Sequence, residues 1–106
     1  MSFQLGSSLL DACVLSVLVR GDTYGYVLTQ AMKEAVEISE STLYPVLRRL
    51  QKDGSLRTYD QPYQGRNRRY YAITEVGKGK YEVYKKEWEI HKRQIDQLIY
   101  GGEEHE

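Results

Sequence analysis

Apolar side chains at Leu9, Leu10, Cys13, Val14, Val17 and Leu18 recur three and four residues apart, which predicts a first helix over about Ser7 to Val19. Ser7 or Ser8 suits its cap, and Arg20-Gly21-Asp22 ends it. Thr23 is placed to cap a second helix carrying Val27, Leu28, Ala31, Met32 and Ala35. Val36-Glu37-Ile38 is too short for a helix and β-branched, so it reads as a connector or a tiny strand. A third helix starts near Ser39 or Ser41, both good N-caps. Pro45 favours Ser41, because proline sits easily only in the first turn. Asp53-Gly54 ends this helix, with Gly54 suited to a left-handed cap.

From Ser55 the period changes from helical to alternating. Leu56 and Thr58 alternate with Arg57 and Tyr59, and Tyr71 and Ile73 with Tyr70 and Ala72. Two strands are predicted, about Ser55–Asp60 and Arg68–Thr74, around a turn at Gln61–Asn67 marked by Pro62 and Gly65. Thr74 then caps a fourth helix to about Tyr100, with Glu75 well placed for its dipole. The predicted class is mainly α with a small β-hairpin (α+β): a winged helix-turn-helix plus a C-terminal helix. Residues 1–74 form the winged unit, 75–100 the added helix packed on it, and 101–106 a disordered tail.

The length of 106 residues fits one small domain, which often gains stability by oligomerising. No apolar run approaches the ~20 residues that span a membrane, and the first residues lack the basic start and small-residue cleavage site of a signal peptide. The lone Cys13 cannot form an internal disulfide, which suits a reducing cytoplasm. Fifteen basic and fifteen acidic residues cancel, yet their distribution does not. Between Arg48 and Arg69 lie Arg48, Arg49, Lys52, Arg57, Arg66, Arg68 and Arg69, against Asp53 and Asp60 only. A local field steers a polyanion, whatever the total.

On a helical projection Leu43, Val46, Leu47 and Leu50 share the core arc of the third helix. Ser41, Pro45, Arg48 and Lys52 lie opposite, with Thr42, Tyr44 and Arg49 on the flanks. A helix-turn-helix puts the start of its second helix into the major groove. There the hydroxyls of Ser39, Ser41 and Thr42, Tyr44 and the Pro45 ring meet base edges and phosphates, and Arg48 reaches a guanine. Arg49 and Lys52 suit phosphate. The hairpin adds Gln64, Arg66, Asn67, Arg68 and Arg69 on one turn. The plainer alternative is a solvated helix face. Double-stranded DNA with a palindromic site is the expected partner.

Tyr81, Tyr84, Trp88, His91, Ile95 and Leu98 are spaced 3, 4, 3, 4 and 3, a heptad seam. Either it packs back on the first helix of its own chain, or it pairs two copies, with Leu10 and Val14 of the first helix contributing. The homodimer also suits reading a palindrome. Tyr84 and Trp88 are candidates to hold a small planar aromatic effector, against plain packing as the alternative. His91 either tunes pairing near neutral pH or is simply a satisfied polar residue. No strong catalytic, metal or cofactor motif stands out: His91 and His105 lie fourteen apart, and Cys13 falls on an apolar face. Gly77 and Gly79 sit within a helix and lack the strand-turn context of a phosphate loop.

The segments TYGYVLTQAM, STLYPVLRRLQKDG and RRYYAITEVGK together resemble the PadR family of bacterial transcriptional regulators, in the subfamily with one C-terminal helix. The likeness runs from about Leu9 to Leu98. It implies a homodimeric DNA-binding repressor, not an enzyme, with C-terminal helices crossing between subunits and phenolic or planar compounds relieving repression in some members. Tyr24 would then contact phosphate, Thr42 and Tyr44 match the reading-helix motif, and Arg66, Arg68 and Arg69 fall in the wing. Trp88 matches a ring in a central dimer pore of certain members. One departure is Val27, where the family often has an acidic residue. The rival readings are a winged-helix protein–protein interaction module and a ligand sensor without specific DNA binding.

Overall fold

The computed structural model describes residues 7–101. The elements run α1 (Ser7–Leu18), β1 (Thr23–Tyr24), α2 (Gly25–Ala35), α3 (Glu40–Lys52), β2 (Leu56–Tyr63), β3 (Arg66–Ile73) and α4 (Glu75–Tyr100). Leu10, Val14, Leu15 and Leu18 from α1 meet Leu28 and Met32 from α2 and Leu43, Val46, Leu47 and Leu50 from α3. Leu56 closes this core from the sheet.

Thr23 does not cap α2. It pairs with Tyr71 while Tyr24 pairs with Tyr70, giving a third antiparallel strand and the sheet order β1-β3-β2. Two residues are too few to show alternation, so this strand carries no periodic signal. Tyr24 is the N-cap of α2 and offers no side-chain bond to its first amides.

Ser39, not Ser41, caps α3: its hydroxyl accepts from the Thr42 backbone N–H at 3.2 Å. Pro45 is therefore the sixth helical residue, and the Ser41 carbonyl has no N–H four residues on. An interior proline costs about 3 kcal/mol. Four buried apolar side chains on the opposite face of α3, at about 1.5–3 kcal/mol each, outweigh it. Gly54, at φ 86°, turns the chain out of α3, and the Ser55 N–H bonds back to the Leu50 carbonyl.

The hairpin is longer and tighter than predicted. Its strands are eight residues each, and only Gln64 and Gly65 form the turn, both at positive φ (49° and 81°). That is the geometry of a two-residue turn matched to strand twist. Pro62 marks no loop; it pairs with Asn67 on the edge strand β2, where a missing N–H is tolerated.

Thr74 caps α4, accepting from the Gly77 N–H at 3.1 Å. Gly77 is buried, and a Cβ there would collide with the Ser55 carbonyl. Beyond Trp88 the helix leaves the core, and its side chains to Tyr100 are exposed. Gly101 ends α4 at positive φ. The rest of the predicted tail, 102–106, lies outside the described residues.

Candidate nucleic-acid interface

The surface of α3 away from the core presents Ser41, Thr42, Tyr44, Pro45, Arg48 and Lys52, all exposed. Ser39 organises its start. Its hydroxyl lies 3.0 Å from the Ser41 hydroxyl and 3.1 Å from that of Thr42, so three hydroxyls form one cluster at the helix tip. Arg48 and Lys52 make no ion pair among the described residues.

Tyr44 leans from α3 toward the start of α2, its hydroxyl in contact range of a Cβ at Gly25, where the Tyr71 ring also approaches. Burial raises the Tyr71 pKa and the Tyr44 hydroxyl adds to this, while the Arg69 and Arg48 charges oppose it. The charges of Arg48 on α3 and Arg69 on the wing thus both act on the Tyr71 hydroxyl. Helix α3, the wing base and the uncapped end of α2 converge here, and the orphan amides of a helix start favour anions.

Arg49 is used differently from the expectation. Its two terminal nitrogens bond both carboxylate oxygens of Asp11, at 2.9 and 2.6 Å. Asp11 is buried on α1, and by accepting these bonds its carboxylate raises the Arg49 pKa further. The guanidinium thus already holds a buried carboxylate, while the side chain stays 45% exposed. An acid among the apolar positions of α1 was the available signal, since a buried carboxylate demands a cation.

The wing cations divide between two faces. Asn67 and Arg69 lie on the face of β3 shared with Tyr71 and Ile73, which pack against the core. Arg66 and Arg68 point the other way. Arg69 reaches Asp60 only at 3.4 Å, both being exposed. The Arg68 guanidinium lies between two rings, 3.9 Å from the centroid of Tyr24 and 3.7 Å from that of Tyr63. The stack continues through Tyr24 edge-on to Tyr70 and Tyr70 face-on to Tyr59. Arg57 covers Tyr59, whose hydroxyl donates to Asp22 at 2.7 Å. This ladder escaped the sequence reading, because it joins alternate residues of β2 and β3 to the unpredicted β1. Gln64 stands exposed at the turn.

The seam splits as well. Leu10 and Val14 lie inside the chain's own core and do not face outward. Tyr81 and Tyr84 are half-buried and pack against that core, so the near half of the seam covers its own domain. Trp88, with His91 tilted against it at 6.1 Å, stands exposed, as do Ile95 and Leu98. A shallow groove of about 380 Å³ runs along α4 between Glu75 and Glu87. Tyr84 lines it; Trp88 does not.

A helical core with a solvent-facing third helix, flanked by a β1-β3-β2 sheet whose hairpin projects beside it, defines a winged helix-turn-helix protein. Among the described residues no helix is long and apolar enough to cross a membrane. The chain belongs to the transcriptional regulator PadR-like family, whose model matches residues 14–83, and is therefore a DNA-binding transcriptional regulator. A transcriptional regulator of Mycobacterium tuberculosis is 32% identical over 85 residues, covering 79% of this chain and 76% of its own. A crystal structure from Streptococcus mutans superposes with a TM-score of 0.87 at 39% identity over 95% of both chains. A PadR family transcription regulator from Clostridium difficile gives 0.78 at 30% identity, over 85% of this chain and 97% of its own.

Proposed function

We propose that the protein is a homodimeric, sequence-specific repressor acting on a palindromic operator in the cytoplasm. The observation that carries this is the junction of α3 and the wing. There Tyr44 and Tyr71 approach each other over Gly25 at the uncapped start of α2, and the same two elements carry Arg48, free of any ion pair among the described residues, and Arg69. In this reading Ser41, Thr42, Pro45 and Arg48 meet base edges. Lys52, Arg66 and Arg69 neutralise phosphate, Tyr24 and Asn67 position the backbone, and Gln64 lies at the wing tip. Residues 7–74 do the reading, and the exposed half of α4, from Trp88 to Leu98, joins the two copies. A planar aromatic effector would sit against α4, and Tyr84 on the groove wall is its first contact.

The test is a selection of bound fragments from random duplex pools at two salt levels. It should return a palindrome. With three cations on phosphate per copy, the log–log salt slope of the dimer should be roughly −5. Arg48→Ala should relax preference at one base position of each half-site, at ~1–3 kcal/mol. Equal binding to all sequences would defeat the proposal.

A further inference from the structure

Asp11 joins three helices. It is a charged residue among the apolar positions of α1, and its side chain is only 6% exposed. Burying a carboxylate is costly unless every lone pair is used. Here both oxygens are taken by the planar fork of Arg49, and Oδ2 also accepts from the Tyr84 hydroxyl at 3.2 Å. A bidentate pair fixes orientation as well as distance. Arg49 is the neighbour of outward-pointing Arg48 on α3, so whatever fixes one sets the azimuth of the other. A second fastening lies one turn further along. Lys80 of α4 bonds Asp53 at the end of α3 at 2.8 Å, and Gly77 lets α4 lie against Ser55.

We infer that Arg49 is a positioning residue for DNA reading, holding the face of α3 at a fixed angle through Asp11, and that Tyr84 ties α4 into the same node. The assignment rests on α3 being the reading helix. It removes Arg49 from the phosphate contacts and gives Tyr84 a role at a distance from any duplex. Because Tyr84 also lines the groove on α4, an occupant of that groove would touch the node directly.

The experiment measures Arg49→Gln, Arg49→Lys and Tyr84→Phe in the full chain, on the duplex selected by the parent protein. Salt is varied, at a temperature where circular dichroism shows each variant folded. Arg49→Gln should weaken binding about tenfold with the salt slope unchanged, and Arg49→Lys should recover part of the loss. Tyr84→Phe, which keeps both charges, should cost about threefold, again at constant slope; it carries the test if Arg49→Gln does not fold. A slope flatter by about one unit per copy in Arg49→Gln would make Arg49 a phosphate ligand and overturn the assignment. Unchanged affinity of the folded variants would make the node purely structural and overturn it too. A parent protein without duplex preference would instead remove the DNA reading on which the assignment stands.

Discussion

Gly77 and Gly79 sit two residues apart in the same helix and are asked for different things. At Gly77 a methyl group would meet the Ser55 carbonyl and the Ile73 side chain, both fixed by packing. At Gly79 nothing lies within 4 Å. Gly77→Ala should therefore lower stability by about 1–3 kcal/mol through overpacking. Gly79→Ala should raise it by about 0.5–1 kcal/mol through helix propensity. Thermal melting of the two variants reads the difference as shifts of opposite sign. Asp53 gives a pH signature. Burial opposes its ionisation, but hydrogen bonds from Lys80 and Ser55 outweigh this and hold its carboxyl below the ordinary 3.8. A depressed folded value means its contribution is complete above the unfolded value and is lost as pH falls through the lower folded one. Acid unfolding of Asp53→Asn should accordingly show a shallower loss of stability below about pH 4, followed by circular dichroism.

The wing is an element whose stiffness and charge come from different residues. Arg68 is clamped between rings, whereas exposed Arg69 makes only a solvent-facing ion pair with Asp60 at 3.4 Å. Arg68→Lys keeps the charge and loses the planar stack. It should speed hydrogen exchange in the wing amides, while Arg69→Lys should leave exchange unchanged. Helices α1, α3 and α4 were legible within a residue or two from their apolar periodicity; the expected cap holds at Thr74 of α4, whereas Ser7 and Ser8 lie inside α1 and Ser39 replaces Ser41 on α3. The start of α3 was misjudged because local proline chemistry was weighed and the burial of Leu43, Val46, Leu47 and Leu50 was not. The hairpin is longer than its turn signals imply because Pro62 lies within the edge strand, and only Gln64 and Gly65 take positive φ. Cations on α3 and the wing were found by charge alone. Which of them pair inward depends on a partner 38 residues away in one case and on the β1 pairing in the other.

Across the molecule, 60 × 31 × 20 Å in extent, α4 packs on α1, so that α3, the wing and the exposed end of α4 share one framework. Trp88, Ile90, Ile95, Leu98 and Ile99 are all exposed on the outer half of that helix. Apolar exposure of this density on one segment marks an association surface. Leu98→Glu should shift the sedimentation profile toward monomer at micromolar concentration and lower operator affinity, with melting of the winged unit unaffected. Twenty-six helical residues span about 39 Å. If two such rods cross at their far ends, a tilt of about 5° at the crossing displaces the near end by about 3.4 Å, one base step along a strand. Tolerance of a single inserted base pair between half-sites is thus a direct gauge of how rigidly the two rods are clasped.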